Sequence, residues 1–400
     1  MSQRKLYVGL DIYNDITYMS VMRDGAEQPE LIGFGKNADI RIPTLVNVPG
    51  ANEVLEGFMG KVFRGEDIIV NDKKIDPTHI FMSFFSRTLT ILRKKYPSET
   101  IASLVVTTEF DDYKYYEYMY AGLERIGIKK DRAMIVRHAQ AFVQYATAQD
   151  RKYWVNSASL VDYSRGHIHY YNMKVDTFRH PSTLSVEDKN YDEFIPMFEN
   201  ESTSDEEKNS IFLNMVNGAI HGKIITSIYM QGDAFADGFG EEAMKEMALN
   251  KHIFKEELIY VKGACYGARA FSSEEDNKFI YIDDNMILAN VTTKVYTDAE
   301  EQTIVLAKAG IPWYQVDLDF DVIPDGDDKL EIDFKNVLTN QDIYKVIQLD
   351  GIKKRLDKET RINVSVKFVK KDRCIITVRD KGFGDFIPSS YRIWEEVVDI

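Results

Sequence analysis

Residues 6–22 and 159–173 follow one plan, and that repetition constrains the fold more than any other feature of the chain. In the first, Leu6, Val8 and Leu10 alternate up to Asp11, a tight turn occupies 11–15, and Ile16, Tyr18 and Ser20 resume a period of two. In the second, Leu160 and Val161 run into Asp162, a turn follows at 163–166, and Ile168, Tyr170 and Asn172 resume the alternation. Two strand–Asp–turn–strand units this far apart predict a duplicated domain with a cleft between its halves. Each half contributes one acid and one turn.

The chain has 400 residues, more than one typical core holds, so two or three domains are expected. Its formal net charge of −14 argues against nonspecific binding to nucleic acid or anionic membranes, which needs a basic surface. Cys265 and Cys374 lie far apart without metal-ligand spacing and read as free thiols of a reducing compartment. There is no leading apolar h-region and no run of 18 apolar residues, so a cytoplasmic, soluble protein is expected.

After the first hairpin, 31–34 and 41–48 read as short strands, 54–62 as a short helix and 67–74 as a polar hairpin. Pro77 opens a helix over 77–96, with Ile80, Phe81, Phe84, Phe85, Thr88, Leu89 and Leu92 at helical spacing. A buried strand at 101–107 and a helix at 111–126 follow, the helix capped by Asp111 or Asp112 and closed by Gly127. Tyr113, Tyr115, Tyr116, Tyr118 and Tyr120 on that helix read as packing residues. A strand at 133–136 and a helix at 138–148 complete an alternation typical of α/β layers. Past the second repeat the chain turns polar between 174 and 209, and 199–208 reads as a solvated acidic loop and helix start. Helices are expected at 209–221, 241–249 and 256–271, and a strand at 223–230 that ends in Gln231–Gly232–Asp233. Gly263, Ala264, Gly267 and Ala268 would let another backbone approach the last helix closely. Composition shifts at 272–277. Strands then follow at 279–282, 286–296, 302–307, 315–322, 329–334, 344–349, 361–368 and 374–380, with turns such as Asp325–Gly326 and Lys381–Gly382. Their short, even spacing predicts an antiparallel β-sandwich.

In this order the segments resemble the actin-like ATPase superfamily, most closely the DnaK-type heat shock protein 70 family. VGLDIYNDITYMSVM resembles the first phosphate loop and SLVDYSRGHIHYY the second. RAMIVRHAQAFVQYA is similar to the strand that runs into the family's Asn-Glu-Pro-Thr helix, SIYMQGDAFADGF to the adenosine loop, and VKGACYGARAF to the closing helix. QTIVLAKAGIPWY, IQLDGI and TRINVSVKFVKKDRCIITVRDKG are similar to the chaperone's peptide-binding sandwich. The likeness covers nearly the whole chain, and the order of weak motifs carries it.

The departures concentrate where phosphates would bind. The family's loops are rich in Gly, which lets backbone N–H groups wrap a phosphate, and in Thr. Here the loops are Ile12, Tyr13 and Asn14, then Ser164, Arg165 and Gly166. Asp11 and Asp162 stand where the family's acids hold the water shell of Mg²⁺. The family's second-loop terminal Asp is replaced by His169, its reaction-centre Glu by His138, and no lysine near 60–75 matches the catalytic one. Gly232 persists beside Gln231 and Asp233. The interval from Asp162 to Gly232 is short, leaving out the adenine-clamping lobe, and a helical lid has no counterpart beyond 391–398. Arg165 can grip an anion or pair with an acid such as Asp11 across the cleft; the salt bridge is favoured. His167 and His169 share a strand face without a third metal ligand, and His138 reads as a hydrogen-bonded structural group.

The expectation is therefore a two-lobed actin-like (ribonuclease H-like) α/β domain over 1–271, a linker over 272–277 and an antiparallel β-sandwich over 278–400. The resemblance implies a chaperone-like, peptide-binding protein with a degenerate nucleotide site. The alternatives are an active ATP-dependent chaperone and a structural subunit of a larger bacterial assembly. Candidate nucleotide-site residues are Asp11, Ile12, Tyr13, Asn14, Asp162, Ser164, Arg165, Gly166, Gly232 and Asp233. Candidate peptide-site residues are Tyr296, Thr297, Asp319 and Phe320. No catalytic residue, metal or cofactor is expected, except ATP and Mg²⁺ should the degenerate site still bind them. A polypeptide is the expected partner, not nucleic acid or membrane.

Overall fold

The computed structural model describes residues 4–47, 54–178, 181–236, 238–273, 279–297, 300–324, 329–339, 341–352, 361–383 and 387–400. It divides into two compact units, Met1–Lys174 with Val186–Asp276, and Val175–Ser185 with Asn277–Ile400. Of the expected linker, residues 274–277 lie outside the described residues, as does the turn expected at Asp325–Gly326.

The first unit opens with β1 (Lys5–Ile12) and β2 (Ile16–Arg23), an antiparallel pair with Asp11 opposite Tyr18. Short pieces follow: β3 (Glu30–Leu31), β4 (Ile42–Pro43), β5 (Leu45–Asn47), β6 (Val54–Glu56), α1 (Phe58–Phe63), β7 (Ile68–Val70) and β8 (Lys73–Ile75). The single helix expected over 54–62 is thus a strand and a helix, broken by Gly57 at φ 62°, a left-handed turn glycine tolerates. The strands expected at 31–34 and 41–48 are reduced to β3, β4 and β5.

α2 (Pro77–Lys95) begins where Pro77 predicts, its N-terminus capped by the Asp76 carboxylate, which accepts the Thr78 N–H. Its apolar stripe is buried. β9 (Thr100–Thr108), α3 (Tyr113–Arg125), β10 (Ala133–Arg137) and α4 (His138–Ala148) complete the first half. Asp112 caps α3, whereas Asp111 points elsewhere. The strand order is β10–β9–β1–β2–β3, with β9 parallel to β1 and β10 parallel to β9.

The second half repeats this arrangement. β11 (Ser157–Ser164) pairs antiparallel with β12 (His167–Asp176), with Asp162 opposite His169. β13 (Ser182–Asn190) lies beside β12; Val186–Asn190 falls in the first unit and Ser182–Ser185 in the second. α5 (Ile195–Phe198) and α6 (Asp205–Ile220) follow, then β14 (Ser227–Gln231), α7 (Asp233–Ala236), α8 (Glu241–Met247), β15 (His252–Lys255) and α9 (Ile259–Phe271). The order is β15–β14–β11–β12–β13, with β14 parallel to β11 and β15 parallel to β14. β13 and β15 are absent from the sequence reading because β13 is mostly polar and β15 has only four residues. α6 starts at Asp205, earlier than expected, because Ser204 and Glu207 form a reciprocal capping box.

α4 and α9 tie the two sheets together. Phe142 and Tyr145 of α4 pack on Tyr229 of the second sheet. α9 lies on the first sheet, where Ser20 Oγ donates to the Val261 carbonyl at 2.7 Å and Ser103 Oγ to that of Ala268 at 2.5 Å. The two helices meet at Gly263, where a methyl group would lie 1.9 Å from the Ala141 carbonyl oxygen. The small residues read from the sequence serve this crossing.

In the second unit β16 (Phe279–Ile282) runs parallel to Ser182–Ser185. β17 (Ala289–Thr297), β18 (Glu300–Ala307), β19 (Asp317–Val322), β20 (Lys329–Asn336), β21 (Asp342–Gln348), β22 (Arg361–Lys370), β23 (Arg373–Gly382) and β24 (Ile393–Asp399) form two four-stranded antiparallel sheets. Their orders are β18–β17–β20–β21 and β19–β22–β23–β24. The turn expected at Lys381–Gly382 is the end of β23, and 391–398 falls largely in the strand β24. Inward Ile332, Phe334, Val364, Val366, Ile376 and Val378 build one core. On the edge strands β21 and β24, Lys345 and Glu396 pair with each other, which blunts those edges against further strand addition. No helix among the described residues is long and apolar enough to cross a membrane.

Candidate functional site

One cavity of about 250 Å³ in the first unit is lined by Asp162 of the second repeat, and Asp11 of the first, itself buried, bonds the lining residue His138. Both acids sit near the C-terminal ends of central strands, where open α/β sheets form their crevices. Neither acid is free.

Asp11 is 1% exposed, and its Oδ1 lies 2.9 Å from His138 Nε2 at the first residue of α4. The imidazole stacks on Tyr260 with centroids 4.1 Å apart and planes within 2°, and Tyr13 leans on it at 5.4 Å. Asp162 accepts the Ser164 hydroxyl at Oδ1 and the Tyr260 hydroxyl at Oδ2, both at 2.7 Å. Burial raises the Asp162 pKa above the ordinary carboxylate value, opposed by those hydrogen bonds. Burial, reinforced by the charges of Asp11 and Asp162 respectively, pushes the Tyr13 and Tyr260 phenols well above their usual range, so both stay protonated.

The two turns place Tyr13, Ser164 and Arg165 in the cavity lining. Ile12 is fully buried, and Tyr13 is 8% exposed. Asn14 Oδ1 accepts the Gly60 N–H at 2.9 Å and fixes the first turn to α1. The Arg165 guanidinium covers the Tyr13 ring at 4.8 Å and bonds Asp15 Oδ1 at 2.6 Å. Its salt bridge is with Asp15, not with Asp11, because His138 already occupies Asp11. Gly166 has φ 71° and completes the second turn. Gly232 has φ 126°, and a methyl group there would stand 2.0 Å from the Tyr163 carbonyl oxygen, so close backbone approach demands glycine. Asp233 accepts the Arg165 backbone N–H at 3.2 Å. The candidate residues of the two turns and of the Gly232 loop are therefore brought together.

Around them the lining carries Glu109, Asp111 and Asp188 besides Asp162, against the guanidiniums of Arg137 and Arg165. Arg137 pairs with Asp111 at 3.2 Å. His167 bonds Asp192 at 2.8 Å, and His169 stacks on Tyr171. Among the described residues no group of three or more His, Cys, Asp or Glu is placed to hold a metal. Sequence reasoning missed Tyr260, Tyr171, Glu109 and Asp188. No local pattern marks them: Tyr260 is 98 positions from the acid it serves.

In the sandwich, Asp319 is exposed while Phe320 packs against the core. Asp319 accepts Asn363 Nδ2 at 2.5 Å, and Asp317 pairs with Lys367 at 3.0 Å, so the acidic row is partly neutralised by β22. Tyr296 and Thr297 stand opposite Glu301 and Glu300 in the β17–β18 ladder; their side chains lie outside the described residues.

Residues 47–284 match the model described as a family of unknown function (DUF5716), C-terminal. The chain belongs to this family. Residues 286–400 match a domain of unknown function (DUF8552). No match was found among curated proteins. The boundary between the two DUF matches falls at Asn285, inside the second unit, and the DUF5716 match begins after β1 and β2, so it omits Asp11 and Tyr13.

Proposed function

We propose that the chain is an actin-like protein of DnaK type whose nucleotide-site acids are engaged by its own side chains, and that its β-sandwich binds a polypeptide. The observation that carries this reading is the double occupation of the acids, Asp11 by His138 and Asp162 by Tyr260 and Ser164. Carboxylates engaged in this way are poor anchors for hydrated Mg²⁺, and phosphoryl transfer depends on metal and donors placed around the phosphates. The charge of the lining supports it: four carboxylates face two guanidiniums, one of which is already paired within the lining. The repeated strand order and the close approach at Gly232 support the actin-like fold.

Calorimetric titration of the full chain with Mg²⁺-ATP and Mg²⁺-ADP tests the reading. No saturable heat is expected. Binding with steady hydrolysis that is lost in Asp11→Ala would establish the active-ATPase alternative instead. For the sandwich, outward Asp317, Asp319 and Asp321 favour a basic extended segment. A basic peptide should bind weakly and lose affinity at high salt and in Asp319→Lys; tight, salt-independent binding of an apolar peptide would refute this preference.

A further inference from the structure

Two hairpins of the first unit close with two-residue turns whose central residues both have positive φ, as type I′ requires. In β7–β8 the turn is Asn71–Asp72, at φ 51° and 58°, built from residues that tolerate the left-handed region. In β11–β12 it is Arg165–Gly166, at φ 55° and 71°. Arginine has no such tolerance, and a long side chain held there stores local strain. Its side chain is put to use: it covers the Tyr13 ring and bonds Asp15, on the turn of the other repeat. The turn is anchored from below by the Arg165 N–H on Asp233. The Arg165 and Asp15 side chains are 40% and 64% exposed, so the link lies at the solvent-facing rim of the cavity.

We propose that Arg165 is a strap that joins the two repeat turns across the cavity rim and is released by salt. An exposed ion pair is screened within a Debye length, so raising ionic strength weakens it while the buried Asp11–His138 and Asp162–Tyr260 contacts persist. The strap spans the rim of the cavity whose acids are read above as engaged, and it rests on that reading only for what lies beneath it.

Hydrogen exchange of the full chain at low salt, followed in the peptides covering residues 12–17 and 163–168, tests it. Arg165→Asn suits the turn and should fold. It and Asp15→Asn should each speed exchange in both peptides by about fivefold. The double variant should exchange no faster than Arg165→Asn alone, because both substitutions cut the same ion pair. Wild type at about 1 M salt should match Asp15→Asn. Unchanged exchange in Arg165→Asn, additive effects in the double variant, or acceleration confined to one turn would overturn the strap. Mg²⁺-ATP binding by wild type in parallel would refute the reading of the engaged acids and leave the strap standing.

Discussion

The two repeats place an acid at the same point of the same topology, yet satisfy it by different chemistry. The first acid, Asp11, leans on an imidazole, His138, carried by a helix of its own half. The second, Asp162, is held by two hydroxyls, from Ser164 on its own strand and Tyr260 on α9. The turns differ in the same sense. The first is bulky and buried at Tyr13, whereas the second is a tight Arg–Gly turn whose side chain leaves to meet the first. A duplicated scaffold therefore conserves where an acid is placed without conserving what it does. The acid's partner depends on which helix happens to pass over it.

The crossing of α4 and α9 makes that comparison possible, and breaking it should have the largest effect. Gly263→Val drives a branched side chain into the Ala141 carbonyl, and a loss of about 3–5 kcal/mol is expected. Urea denaturation should show a lowered midpoint, and a wild-type midpoint would mean that the helices can separate without cost.

Removing each acid's partner sharpens the contrast. His138→Ala leaves buried Asp11 without its bonded imidazole, for a cost of about 2 kcal/mol. Tyr260→Phe leaves Asp162 the Ser164 hydroxyl, so about 1 kcal/mol is expected. Equal losses, or the reverse order, would erase the distinction between imidazole and hydroxyl support.

The smallest effect is a pH dependence carried by Asp162. Because the folded-state pKa of Asp162 is raised, its contribution to stability is complete below the ordinary carboxylate value, about 4, and fades as pH rises through the folded value. Asp162→Asn removes that titration. The stability of the variant relative to wild type should rise with pH across this window and then level off. A difference that is flat with pH would show that burial does not govern Asp162.

Much of this architecture is legible in the sequence, and the reason is local. The alternation around Asp11 and Asp162, the Asp76–Pro77 helix start and the glycines of α9 are each set within a few residues by strand period, capping and backbone clearance. β13 and β6 escaped notice because a polar strand carries no apolar alternation and a three-residue strand has no room for one. The contacts that give the cavity its character belong to another scale. His138 meets Asp11 over 127 positions, Tyr260 meets Asp162 over 98 and Arg165 meets Asp15 over 150. Sequence periodicity says which face of a strand or helix is buried; it cannot say which of many distant side chains arrives to share that burial. That choice was made by the crossing of α4 over α9 and by the turn that lifts Arg165 over Tyr13, both products of the folded chain.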